Sequence, residues 1–294
     1  MKKKKVSSIK ISLALIATTL IWGTNYVPTK IAVTEIAPIH LAALRFAIVG
    51  FILLVVLRFF KPETRIKKED IILLFTLGFV GITLQQIFFL YGMKHTLPTH
   101  SALMGTLTPI FVFLLAVVMI NEKITILKIS GIITSFIGVF IILHSKGLKL
   151  DNRFLFGDLL SLASAFVFAV YVVLSKPFLL KYGSLSTTAY TTFIGGMLFI
   201  PFLLFDKTGF DWTTVSTKVW MSFAYLTVFA SVFALSLWYW VLTYIDTTKA
   251  AVTMYFQPVI AAIFSYLIYS EEISKNLIFG GIFILLGIFI TEKG

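Results

Sequence analysis

Ten apolar runs, each long enough to form a membrane-crossing helix, dominate this sequence of 294 residues. The hydrocarbon core of a bilayer is about 30 Å thick and needs about 20 helical residues to span it. Hydrophobic residues make up 59% of the chain and the mean hydropathy is +0.98, which exceed the values of soluble domains. We predict a membrane protein with spans near residues 11–33, 39–60, 71–91, 101–120, 125–143, 156–175, 185–205, 219–241, 250–269 and 276–291.

The spans are predicted to be α-helices, because membrane β-strands alternate apolar and polar residues whereas these runs are continuously apolar. The longest connections are residues 145–155 and 206–218, so we expect the function to reside within the helix bundle. The basic start precedes an apolar run without a small-residue cleavage site, and we interpret it as an uncleaved first span. The chain has no cysteine, which excludes disulfides and thiolate metal sites.

Positive charges are distributed unevenly between the predicted loops. With the N-terminus in the cytoplasm, the inner segments carry 16 Lys and Arg residues and the outer segments carry 8, and Arg45 alone lies inside a span. This asymmetry predicts that both termini are cytoplasmic, and we expect the chain in a bacterial cytoplasmic membrane. The orientation of the chain in the membrane and the attraction of basic residues to anionic lipid explain the formal net charge of +12. No nucleic-acid partner is therefore expected.

The two halves of the sequence resemble one another. Each half holds five predicted spans, so the second copy begins on the opposite side of the membrane and the repeat is inverted. We predict two units, residues 1–147 and 148–294. Inverted repeats open a path alternately to each side, which is typical of secondary transporters. Shifts of 149 and 146 residues align Pro109 with Pro258, Glu122 with Glu271, Gly138 with Gly287, and Lys30 with Lys176.

Four stretches follow one another in a recognisable order. They are IWGTNYVPTK at 21–30, APIHLAALRF at 37–46, the segment 101–142 that begins SALMGTLTPIF, and GDLLSLASAFVFAVYVVLSK at 157–176. In this order, and together with the 250–290 region, they resemble the EamA family of the drug/metabolite transporter superfamily along nearly the whole chain. The resemblance implies ten helices around a central cavity, no ATPase and, in many members, export of amino acids or related metabolites.

The repeat places a proline at matching positions inside a predicted span of each half, Pro109 and Pro258. A proline removes the hydrogen bond to the carbonyl four residues earlier, here at a depth of roughly 12 Å, close to the bilayer centre. Thr108 and Gln257 add polar groups at the same depth. Two interpretations stay open, a helix opened beside a substrate site and a packing kink.

Three acidic or basic side chains have candidate roles. Glu122 and Glu271 are interpreted either as charges favoured by the dipole of the following helix or as closing points of two gates on opposite faces. Arg45 lies inside a span, where a charge is costly unless it faces a cavity or a partner. It is interpreted as a group that pairs with a substrate carboxylate or as a residue that reaches the outer headgroups.

Aromatic and amide side chains are the remaining candidates for a substrate site. Helical spacing puts Trp22, Asn25 and Tyr26 on one face, and the repeat puts Phe168 and Tyr171 at the positions of Trp22 and Asn25. A cavity lined in this way suits a small zwitterion or an aromatic molecule, and the alternative is anchoring at the membrane interface. Further candidates for the lining are Gln85, Gln86, Tyr91, Trp240 and Tyr255.

Titratable groups give no clear site. His95 and His100 flank a predicted outer loop without an evident carboxylate partner, so we interpret them as surface groups and leave proton coupling open. Asp158 is interpreted as a helix start.

A transporter explains these patterns best. The sequence lacks HExxH, GxSxG and a cysteine nucleophile, which argues against an enzyme, and it shows no channel filter. A receptor or scaffold would leave the inverted repeat unexplained. We expect a small-molecule substrate, the lipid bilayer as surroundings, no cofactor or metal, and a monomer or a homodimer. Export is favoured by the resemblance, and uptake of another metabolite is the alternative.

Overall fold

The computed structural model describes residues 7–61, 63, 66–145, 154–205, 210–257, 259–260, 263 and 275–294. In this part of the chain all regular secondary structure is helical and no β-strand occurs. The α-helices, numbered in chain order, are α1 Ser8–Thr24, α2 Tyr26–Glu35, α3 Pro38–Phe60, α4 Ile71–Gly78, α5 Gln85–His95, α6 Pro98–Gly105, α7 Thr108–Ile120, α8 Ile126–Ser145, α9 Leu155–Tyr182, α10 Ser184–Met197, α11 Ile200–Leu204, α12 Thr217–Tyr225, α13 Ala234–Leu242, α14 Thr247–Val252 and α15 Lys275–Lys293.

Seven helical stretches of the described chain are long and apolar enough to cross a membrane, and a shorter apolar helix covers Ile126–Ile141. Each overlaps a predicted span, so the expectation of an all-helical membrane protein is confirmed. The predicted span 250–269 lies partly outside the described residues. The seven stretches are Ser8–Glu35, Pro38–Phe60, Lys68–His95, His100–Ile120, Leu155–Tyr182, Ser184–Leu204 and Thr217–Leu242.

Local chemistry sets several helix boundaries. Pro38 and Pro98 occupy the first turns of α3 and α6, where a missing backbone N–H costs no helical hydrogen bond. Asn121 ends α7 in the left-handed conformation, with φ of 52°. Gly183, with φ of 82°, separates α9 from α10 by a single residue, a conformation that residues with a side chain rarely adopt.

Four long helices are interrupted near their middle. Asn25 separates α1 from α2, and a turn at residues 106–107 separates α6 from α7. Two π-helical segments, Phe79–Leu84 and Leu226–Phe233, lie between α4 and α5 and between α12 and α13. Such segments release backbone groups from the regular helical ladder, and they occur frequently at functional sites.

Close glycine contacts join α8 to α15. A Cβ atom added to Gly138 would lie 2.5 Å from the carbonyl oxygen of Gly280, and one added to Gly131 would lie 2.6 Å from that of Gly287. Any side chain at these positions would push the two backbones apart. The glycines therefore allow close contact between the two helices.

Candidate functional site

A cavity lined by polar, aromatic and aliphatic side chains lies where the four interrupted helices meet α3, α9 and residues 254–257. It encloses about 850 Å³ of space between atoms, including its open mouth. Each interruption contributes to the wall, since Asn25, Gly81, Gly105 and Ser231 all line the cavity. The breaks in the helices thus turn backbone and side-chain polar groups toward one shared space.

Among the described residues that line the cavity, Arg45, on α3, alone carries a charge. It is 3% exposed, its Nε donates to Ser231 Oγ at 2.8 Å, and its guanidinium carbon lies 5.1 Å from the centre of the Phe46 ring. Arg45 Nη1 has no hydrogen-bond partner among the described residues. None of their carboxylates lies within 4.0 Å of the guanidinium nitrogens. A buried cation with a spare donor favours an anionic partner from outside the protein.

The aromatic wall of the cavity is held by specific contacts. Trp22 Nε1 donates to the carbonyl oxygen of Ala230 at 3.1 Å, within the second π-helical segment. The Trp22 ring meets Phe168 edge-on, with centroids 5.8 Å apart, and lies 5.3 Å from Trp238. These contacts fix the indole face that borders the cavity. Tyr26 contacts Phe89 in a similar edge-on arrangement at 6.2 Å.

Amide side chains form the polar part of the wall. Gln85 Nε2 donates to Ser164 Oγ at 2.9 Å, and Gln86 Nε2 donates to Gln85 Oε1 at 2.7 Å. The Tyr26 hydroxyl donates to Gln257 Oε1 at 3.4 Å. Gln86 Oε1 and Gln257 Nε2 have no partner among the described residues. Because an amide can rotate to exchange its two ends, each offers a donor or an acceptor to a bound molecule.

The structure brings most of the predicted lining residues together. Those on the cavity wall are Trp22, Asn25, Tyr26, Arg45, Gln85, Gln86, Thr108, Phe168 and Gln257. Sequence reasoning missed several others, which are small or apolar residues at ordinary helical spacing and carry no chemical signal of their own. They include Phe46, Phe89, Ser101, Ser161, Ser164 and Ser231.

Four predicted lining residues, Tyr91, Tyr171, Trp240 and Tyr255, lie outside this cavity. Tyr171 is fully buried, with its ring packed on Gly81 and its hydroxyl 2.9 Å from Thr191 Oγ1. Trp240 contacts Tyr244, with ring centroids 5.1 Å apart. Tyr255 is buried in a separate apolar cluster. Tyr171 occupies the repeat-related position of Asn25, so the two halves use this position differently, one for the cavity wall and one for packing.

The structure describes one proline and one glutamate of the two repeat-related pairs. Pro109 lies in the first turn of α7, directly after the break in the helix, and is buried. Glu122 lies outside the cavity wall and contacts Lys128 Nζ at 3.2 Å and Thr247 Oγ1 at 2.5 Å. It is therefore an ion-pair partner rather than a simple helix-terminal charge. Pro258 and Glu271 lie outside the described residues.

Comparisons with known proteins identify the family. The EamA-like transporter family matches residues 9–144 and again residues 155–292. An uncharacterized transporter of Archaeoglobus fulgidus is 31% identical and covers 96% of this chain and 97% of its own length. The uncharacterized transporter YoaV of Bacillus subtilis is 29% identical over 96% of this chain and 97% of its own.

A more distant relative and a solved structure extend the comparison. The probable terminal-alkyne amino-acid exporter of Streptantibioticus cattleyicolor is 22% identical over 95% of this chain and 92% of its own. A crystal structure of a protein 20% identical superposes with a TM-score of 0.78, covering 97% of this chain and 96% of that chain, and so shows the same fold. The two family matches account for nearly all of the sequence. The chain belongs to the EamA-like transporter family, and it is a multi-pass membrane protein.

Proposed function

We propose that this protein is a secondary transporter that exports neutral amino acids with apolar side chains, or closely related carboxylates, by alternating access. The observation that carries the proposal is Arg45, a buried guanidinium in the cavity wall with a spare donor and no carboxylate partner among the described residues. A substrate carboxylate supplies the missing counter-charge. The exporter named among the relatives supports the class and the direction.

The rest of the wall favours a neutral amino acid. No Asp or Glu occurs among the described lining residues, so a second cation on the substrate would lack an ionic partner. The substrate ammonium instead meets amide oxygens and the faces of Trp22, Tyr26 and Phe168, which attract cations. An apolar side chain fits beside the same rings.

The proposed architecture is ten helices in two inverted five-helix repeats, residues 1–147 and 148–294, with both termini in the cytoplasm of a bacterial cell. Two observations support it. The family matches each half separately. The π-helical segments Phe79–Leu84 and Leu226–Phe233 begin 147 residues apart, close to the shift that relates the repeats in sequence.

In the proposed orientation, the position of the cavity supports an outward-facing state. The cavity reaches Ser101 and Ser161, near the ends of α6 and α9 that this topology puts at the outer face. Toward the inner face the rings of Tyr171, Tyr239 and Trp238 are buried and fill the space. Alternating access requires these rings to separate when the outer side closes.

The proposal is tested by a growth screen and by flux. Cells that overproduce the protein should resist toxic analogues of leucine and phenylalanine, which names the substrate class and the direction together. Purified protein in phosphatidylethanolamine and phosphatidylglycerol vesicles should release preloaded radiolabelled leucine or phenylalanine. Absence of both resistance and flux, with the protein correctly inserted, would exclude the proposed substrate class, and sensitisation in place of resistance would indicate uptake.

A further inference from the structure

A buried histidine–aspartate pair lies beside the cavity. His100 Nδ1 is 3.2 Å from Asp158 Oδ2, and the two residues are 5% and 3% exposed. The Thr96 hydroxyl donates to the other carboxylate oxygen at 2.5 Å. The interpretation of His100 as a surface group is therefore wrong, because α6 and α9 bring together two residues that lie 58 positions apart.

The pair lies at a junction of three helical segments. His100 belongs to α6 and Asp158 to the first turn of α9. Thr96 joins α5 to α6, and its carbonyl oxygen accepts a hydrogen bond from Lys30 Nζ, on α2, at 2.7 Å. A change in the charge of the pair therefore acts on the contacts that hold α2, α6 and α9 at this end of the cavity.

Two serines connect the pair to the cavity. Ser101 follows His100 directly, and Ser161 lies three residues beyond Asp158, close to one helical turn along α9. The Ser161 hydroxyl donates to Ser101 Oγ at 3.1 Å, and both serines line the cavity wall. The rise from Asp158 to Ser161 along α9 is about 4.5 Å at 1.5 Å per residue. A water that bridges this gap would link the serine hydroxyls to the pair and pass a proton between the cavity and the pair.

Among the described residues, the other ionisable groups around the pair form no ion pair with either His100 or Asp158. Among the described residues, His100 is the basic group within 4.0 Å of Asp158. Lys30 donates to the carbonyl oxygens of Met93 and Thr96. On α5, Lys94 and His95 are exposed, and on α2 the exposed Glu35 accepts hydrogen bonds from Ser216.

We propose that Asp158 and His100 form a proton-binding site through which transport is coupled to the proton gradient, a role that rests on the transporter function proposed above. A histidine imidazole can take up and release a proton, and a carboxylate beside it stabilises the protonated ring. In the outward-facing state the site binds a proton from outside through the cavity. After the helices rearrange, the proton leaves to the cytoplasm, so inward proton flow drives export of the substrate.

Proton binding is tested first without any substrate. Vesicles that contain the protein are adsorbed on a solid-supported membrane and exposed to a rapid pH step between about pH 8 and pH 5, the range in which histidine titrates. The wild type should give a transient current, and Asp158→Asn and His100→Gln should each lose most of it. The controls Asp211→Asn and His95→Gln, at exposed positions, should retain it. No current in the wild type, or the same current in both site variants, would overturn the proposal.

Flux measurements then separate this site from the transporter function. In vesicles loaded with radiolabelled leucine or phenylalanine, a pH gradient with the more acidic side outside should accelerate release by the wild type several-fold. Asp158→Asn and His100→Gln should still exchange label at equal pH but lose the acceleration. Wild-type flux that ignores the gradient would overturn the proton site and leave the transporter standing. A wild-type pH-step current without any flux would instead contradict the amino-acid substrate.

Discussion

Lys30 and Lys176 make the same contact in the two halves of the chain. Lys30 Nζ donates to the carbonyl oxygens of Met93 and Thr96, each at 2.7 Å, at the C-terminal end of α5. Lys176 Nζ donates to the carbonyl oxygens of Leu242 and Ile245, at the C-terminal end of α13. Both lysines satisfy carbonyls that the end of a helix leaves unpaired. This repetition supports the two inverted repeats proposed above.

Replacement of either lysine by methionine should destabilise the protein to a similar extent. Lys30→Met and Lys176→Met keep the length of the side chain but leave two carbonyls without a charged donor, and hydrogen bonds to charged groups contribute about 1.5–3 kcal/mol. Thermal unfolding in detergent measures the loss. Lys94→Met, at an exposed position on α5, is the matched control. A loss in one variant only would argue against equivalent roles.

Arg45→Ala should abolish transport while the protein still inserts and folds. The change removes the cation proposed to bind the substrate carboxylate, and truncation of one partner in a buried charge pair costs about 2–5 kcal/mol, or at least tenfold in affinity. Arg45→Lys should recover part of the activity because it keeps the charge but not the fork of donors. Vesicle flux checks this, with Arg58→Ala, in the last turn of the same helix, as control. Unchanged flux in Arg45→Ala would remove Arg45 from the site.

Pro109→Ala should change the affinity or the turnover of transport. Alanine supplies a backbone N–H that can bond to the carbonyl of Gly105 and close the break at residues 106–107. A continuous helix would rotate Thr108 relative to the cavity wall, where it now lies. The KM and the maximal rate of leucine or phenylalanine flux measure the effect. Wild-type kinetics would make Pro109 a packing feature only.

The fold could be predicted from the sequence because the hydrocarbon core of a bilayer restricts the structures that can cross it. A span must be helical and about 20 residues long, so hydropathy alone placed the helices that the structure describes. The interruptions were harder to foresee. Pro109 marked one break, but nothing in FVGITL at 79–84 or LTVFASVF at 226–233 announces a π-helical segment. Such segments depend on packing between helices rather than on local sequence.

The site was predictable where polar or charged residues interrupt an apolar span. Arg45, Gln85 and Gln257 stood out for this reason, and all three line the cavity. Aromatic residues gave a weaker signal, because the chain contains 30 Phe and 11 Tyr and most must pack against one another. The Asp158–His100 pair was missed because its members lie near the ends of two helices, where polar residues are ordinary.

The ion-pair network around Lys128, in which the Asp246 side chain is 50% exposed, provides a last test, of contacts between the two halves. Lys128 Nζ lies 3.2 Å from Glu122 Oε1 and 2.9 Å from Asp246 Oδ2, and Glu122 also accepts from the Thr247 hydroxyl. The side chains of Lys128 and Glu122 are 2% and 7% exposed. Lys128→Met therefore leaves the buried Glu122 carboxylate without its cation and should lower the free energy of unfolding by about 3–5 kcal/mol. Glu122→Gln should cost less, because Asp246 still pairs with Lys128.

The double variant Glu122→Gln/Lys128→Met should be more stable than the sum of the single losses implies, since neither charge then remains without the other. Thermal unfolding of the four proteins gives the coupling energy, and strictly additive losses would contradict a direct ion pair. If the network closes the inner side of the proposed outward-facing state, Lys128→Met should also raise the passive release of leucine from vesicles. Control vesicles with Lys181→Met, whose lysine is 41% exposed in the last turn of α9, should show no such increase.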